Sequence, residues 1–176
     1  MRRQYKIDTS CPYQGLAIVF CVAFLFLCLL SSHSQAQNTE TNNRPIAEVF
    51  EIIEKFVRED YLSSWFASPR LIRRHFSDPL GYYWGKKNVP LKEVIRDKMA
   101  YVKRWPQRYF RLLSESLEVT RSEQNPNIYA VRFNYEFMTR RRGAERAGRG
   151  ETILLIELFD KRVMIRGEGG KVLERY

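Results

Sequence analysis

The chain has 176 residues, with 30 Lys and Arg against 20 Asp and Glu, a formal charge of +10. That length holds one domain and a short extension, and the charge favours anionic partners without choosing among nucleic acid, phospholipid headgroups and cell-wall polymers. All three cysteines, Cys11, Cys21 and Cys28, lie in the first 30 residues and His75 is the only histidine after residue 36, so the folded part has no disulfide, no thiol nucleophile and too few ligands for a zinc site.

Met1 to Gln14 is polar and basic, and Gly15 to Leu30 runs sixteen residues without a charge or a strongly polar side chain. Ser34 and Ala36 then place two small residues ahead of Gln37. This order is that of a secretory signal peptide over residues 1–36, cleaved between Ala36 and Gln37. The expected product is exported, periplasmic or secreted. The alternative is an uncleaved inner-membrane anchor, although sixteen residues fall short of the ~20 that span a bilayer comfortably. Without the leader the balance is 27 cations against 19 anions. Residues 37–45 read as a polar linker, and residues 46–176 as the domain.

Pro45 opens a helix where its missing N–H costs nothing. Ile46, Val49, Phe50, Ile53, Val57 and Tyr61 recur at three- and four-residue spacing and form its apolar face. Trp65 and Phe66 close that stripe. Ser68-Pro69 caps a short helix over residues 70–76, and Asp78 to Gly81 is a turn. Tyr82 to Trp84 reads as a short strand ended by Gly85. Pro90 begins a third helix with a stripe of Leu91, Val94, Ile95, Met99 and Val102, and Pro106 ends it. The period then changes from about 3.6 to 2. Strands are predicted over 109–120, 128–138, 152–159, 163–167 and 171–175. In the second, Tyr129, Val131, Phe133, Tyr135 and Phe137 share the inner face. The third is apolar on both faces apart from Glu157, as a central strand or one covered by a partner would be. Three helices before a run of strands is an α+β pattern: helices packed on a curved antiparallel sheet of about four to six strands.

The run from Gly81 to Tyr109 carries Tyr82 and Tyr83 before Gly85-Lys86, then Asp97-Lys98, then Arg104-Trp105-Pro106 with Arg108-Tyr109. In these residues the chain resembles the nuclear transport factor 2-like superfamily, which includes ketosteroid isomerase and the SnoaL-like cyclases, and within it a group of bacterial exported proteins. The resemblance implies a cone-shaped fold with a ligand site at its mouth. It also implies that catalytic members carry an acidic base near the end of the first strand. Here that place holds Tyr82-Tyr83-Trp84-Gly85, and no Asp or Glu follows until Glu93. The expectation is therefore a non-catalytic domain, without cofactor or metal, that binds a small ligand or a protein partner and could dimerise through its sheet. One alternative is a SnoaL-like isomerase or cyclase, which needs a carboxylate inside the cone. Glu136 and Glu157, both in mid-strand, are the residues available for it. The other is a membrane-anchored assembly subunit resembling the periplasmic domain of the type IV secretion inner-membrane component.

Tyr61, Trp65, Tyr83, Lys98, Trp105 and Tyr135 are the pocket candidates. As a set they read equally as core aromatics with their polar tips satisfied at its edge. Lys98 falls on the apolar stripe of the third helix, so its ammonium needs an acceptor. Glu59, Asp60 or the hydroxyl of Tyr83 would supply one, either as a structural tie or beneath an anionic ligand. Thr139 to Gly150 joins two strands and reads as a long, mobile, arginine-rich hairpin tip. Arg140, Arg141, Arg142, Arg146 and Arg149 could there meet anionic lipid or a wall polymer. Nucleic acid is disfavoured because no aromatic is interleaved to stack bases.

Overall fold

A computed structural model of the chain describes residues 44–63 and 68–176. The leader, its expected cleavage site at Ala36 and Gln37, and Trp65 lie outside the described residues. The localisation expected above, export with an inner-membrane anchor if uncleaved, is corrected on one point. Among the described residues no helix is long and apolar enough to cross a membrane.

Helix α1 spans Ile46–Lys55 and continues through a π-helical turn, Phe56–Tyr61. Its stripe behaves as the spacing predicts, with Val49, Ile53, Phe56 and Val57 buried. Helix α2, Pro69–His75, starts where the Ser68 hydroxyl accepts from the Leu71 N–H at 3.2 Å. His75 ends it, with Nδ1 3.1 Å from the Val163 carbonyl. Burial is the main cause holding the imidazole pKa below its usual value, so the ring is neutral near pH 7 and Nδ1–H is the donor. Its role is structural.

Helix α3, Leu91–Arg104, follows Pro90, and the Asp78 carboxylate accepts from the Leu91 N–H at 3.1 Å. At its other end Arg108 donates to the carbonyl of Trp105 at 2.7 Å. That bond satisfies one of the orphan acceptors a helix leaves at its C-terminus. Val94 of this helix is fully buried.

The six strands are β1 (Leu80–Tyr83), β2 (Lys86–Val89), β3 (Gln107–Arg121), β4 (Ile128–Arg141), β5 (Ala144–Phe159) and β6 (Arg162–Arg175), in sheet order β2-β1-β6-β5-β4-β3. The α+β class holds, and β5 is internal to the sheet as its two apolar faces imply. Three details differ from the sequence reading. The segment after Gly85 is a strand, because Trp84 and Gly85 take positive φ (46° and 88°) and turn β1 back on β2. The sheet is mixed, since β1 runs parallel to β6 through Tyr82↔Gly167 and Tyr83↔Glu168. And β4 and β5 stay paired out to Arg141↔Ala144. The hairpin tip expected from Thr139 to Gly150 is thus mostly paired strand, and the chain turns only at Arg142-Gly143, with Gly143 at φ 74°.

Two bulges in β6 decide which of its side chains reach the core face. Opposite β5, Ile165 pairs with Ile156 but Gly167 pairs with Leu155, so Arg166 is an extra residue. A one-residue slip moves every later side chain to the other face. Val163 and Ile165 point inward, and beyond the bulge Glu168, Gly170 and Val172 take that role. A second shift sets Val172 against Gly150 and Glu174 against Arg149. Past that extra residue, Arg175 faces in.

Gly170 is required by this close pairing. A Cβ there would stand 2.2 Å from the backbone oxygen of Glu151. Backbone cannot step aside as a flexible side chain can. Gly170→Ala should therefore destabilise the fold by about 1–3 kcal/mol, the range for overpacking, in a urea unfolding titration. At Gly150 the atoms met first, at 2.5 Å and 2.6 Å, are the tip of the Tyr135 ring, so Gly150→Ala should cost less.

Candidate functional site

Between α3 and the inner face of the sheet lies a cleft of about 460 Å³. Phe110, Tyr135 and Phe137 wall it from β3 and β4, and Tyr101 and Trp105 from α3 and its end. Its floor is polar. Lys98 Nζ lies 2.8 Å from Glu168 Oε1 and Trp84 Nε1 donates to the same oxygen at 3.2 Å. Only 18% of the Lys98 side chain and 3% of the Glu168 side chain are exposed. The ammonium also stands 5.1 Å from the Phe76 ring centre, 5.8 Å from Tyr61 and 5.9 Å from Tyr83. Those aromatic faces favour a cation.

The expected acceptors for Lys98 are thereby corrected. Its partner is Glu168 on β6, neither Glu59 nor Asp60, and the Tyr83 hydroxyl instead donates to Asp97 at 2.7 Å. The second oxygen of Glu168, Oε2, is buried, and the Tyr61 hydroxyl is a hydrogen-bond donor to this carboxylate. The Tyr61 hydroxyl faces that carboxylate, and burial, followed by the charge of Glu168, pushes its pKa well above the usual phenol value. Burial and the same charge raise Tyr83 in the same direction, and burial raises Tyr135 and Tyr101. All four phenols therefore stay protonated at neutral pH.

Of the residues named from sequence, Tyr61, Tyr83, Lys98, Trp105 and Tyr135 come together around this cleft. Glu168 and Asp97 were missed as cleft residues. Glu136 pairs with Arg111 at 2.6 Å and lies 3.9 Å from Arg149, and Glu157 pairs with Arg166. Neither lines the cleft. The arginines of the hairpin are mostly engaged. Arg140 pairs with Glu145 at 2.5 Å, while Arg141 and Arg146 lie 5.1 Å and 5.0 Å from the centre of the Trp105 ring. Only Arg146 of the five reaches the cleft.

No protein-family model matches the sequence, and no relative is found among curated proteins. Solved structures do match. An uncharacterized protein with a cystatin-like fold from Caulobacter vibrioides is 13% identical, with 72% of this chain and 90% of that one covered and a TM-score of 0.56. A nuclear transport factor 2-like superfamily protein from Salmonella enterica serovar Typhimurium is 17% identical, covering 72% and 89%, with a TM-score of 0.55. A candidate scytalone dehydratase from Novosphingobium aromaticivorans is 10% identical, covering 79% and 91%, with a TM-score of 0.57. The chain has the nuclear transport factor 2-like fold. Within this fold the helices and the inner sheet face enclose the cleft, and the Lys98–Glu168 pair forms its floor.

A charge left alone in such a place is costly, whereas a surface lysine is not. Lys98→Ala should destabilise the protein by roughly 2–4 kcal/mol, at or below the range for breaking a fully buried pair because Lys98 keeps some exposure. Lys103→Ala, on the exposed face of the same helix, should cost well under about 1 kcal/mol. Chemical denaturation of both variants checks the contrast, and equal small effects would remove the buried tie.

Proposed function

We propose that this chain binds a small organic molecule in the cleft between α3 and the inner sheet face, and that it does so without chemical conversion. The observation that carries the reading is the cleft itself, in which the Lys98–Glu168 pair forms a polar floor beneath walls of aromatic rings. A cleft of about 460 Å³ falls within the usual range for small-molecule sites, and apolar walls with a few convergent polar groups are their usual lining.

A second reading is favoured by one feature. A carboxylate does lie inside the cleft, which is what an isomerase- or cyclase-like proton transfer would need.

Native mass spectrometry of the protein purified from its own cells tests both. The binding reading predicts a small-molecule adduct on the wild type that is absent from Ala100→Trp, whose indole would fill the cleft from α3. The released molecule should be recovered unchanged after incubation with fresh protein. Conversion that is lost in Glu168→Gln would establish the second reading. Bare polypeptide from both proteins, with no adduct, contradicts the binding reading.

A further inference from the structure

We propose that the occupant of the cleft is an amphiphilic organic anion, with a compact apolar or aromatic body and a carboxylate, sulfonate or phosphate held at the arginine-lined mouth. This rests on the ligand-binding reading and adds the class of ligand. Five cations line the cleft, Lys98, Arg104, Arg108, Arg146 and Arg175, against two carboxylates, Asp97 and Glu168. Both carboxylates are already committed, Glu168 to Lys98 and Asp97 to the Tyr83 hydroxyl. The surplus is therefore positive, and it is all guanidinium.

The arginines differ in what they already do. Arg108 is fastened to the end of α3 through the carbonyls of Trp105 and Val102. Arg146 lies over the Trp105 ring, a stacking that leaves its N–H edge open to a ligand. Arg104 and Arg175 are exposed and form no ion pair among the described residues. The second bulge of β6 is what brings Arg175 to this side of the sheet. Cations gathered at the mouth of a cleft with low-dielectric walls focus a positive potential there. A guanidinium fork fits a carboxylate or phosphate in a bidentate way. Between mouth and floor the lining is Phe110, Phe137, Tyr101 and Val172, which suits an apolar body. The ligand is thus anionic at one end and apolar in its body.

Two fluorescent probes that share one aromatic body separate the parts of this proposal: anilinonaphthalene sulfonate and its uncharged parent, phenylnaphthylamine. In low-salt titrations the wild type should bind the sulfonate at least about tenfold more tightly than the parent, a difference of about 1.4 kcal/mol. The double variant Arg104→Gln, Arg175→Gln should bring the two within about threefold while leaving the parent's affinity unchanged. Ala100→Trp should abolish binding of both. Melting curves of these exposed-site variants establish that they are folded. Equal wild-type affinities, both lost in Ala100→Trp, would overturn the anion preference and leave the ligand site standing. Failure of either probe to respond to Ala100→Trp would overturn the site itself.

Discussion

A single extra residue in the last strand sets the character of this molecule. Arg166 is squeezed out of register between β5 and β6, and the slip turns Glu168 from the outer to the inner face of the sheet. Once inside, that carboxylate is held in a region where an isolated charge costs several kcal/mol, so its position is tolerable only because Lys98 meets it from α3 at 2.8 Å. The tie joins the third helix to the strand at the centre of the mixed sheet. Trp84, turned by its own positive φ at the β1–β2 corner, completes it through the indole N–H. Helix, hairpin corner and last strand are thereby fixed to one oxygen atom.

What the pair does for stability is modest by comparison with what it does for polarity. A hydrophobic substitute of the same volume would often hold a core as well or better. The nearby core makes the point: Phe133, Ile156 and Ile165 are fully buried and apolar, and the fold has no electrostatic need for a charge among them. The charge is placed where the packing opens instead. It stands under protonated tyrosines and beneath a mouth of arginines, so the cleft is graded from acceptor at the floor, through aromatic walls, to cation at the rim. Specific recognition needs such a gradient because the polar groups fix a ligand's orientation while the walls supply most of the buried area.

Much of this was legible in the sequence. The stripe of α1 and the change of period at Pro106 both appear in the structure, and Lys98 faces inward as its spacing from Val94 and Val102 demands. The clustered aromatics Tyr61, Tyr83, Trp105 and Tyr135 follow from the same patterns. What could not be read was any feature that depends on register. Strict alternation from Val163 and Ile165 puts Glu168 outside and Arg166 with it. Nothing local in the sequence announces an insertion, although the flanking Gly167, Gly169 and Gly170 mark a place where backbones approach closely. The hairpin tip was misjudged for a related reason. Thr139 to Gly150 has the composition of a loop, but cross-strand pairing of Arg140 with Glu145 and stacking of Arg141 and Arg146 on Trp105 keep it extended. Long-range partners decided the outcome, and composition cannot show them.

The central claim is that Lys98 and Glu168 act as one buried unit and not as two independent polar residues. A double-mutant cycle measures this directly, with Lys98→Met, Glu168→Gln and the double variant compared by urea unfolding. The account predicts a coupling free energy of about 2 kcal/mol or more, within the range for residues in direct contact, with the double variant more stable than Lys98→Met alone. Effects that add to within about 0.5 kcal/mol, as they do for distant sites, would contradict it.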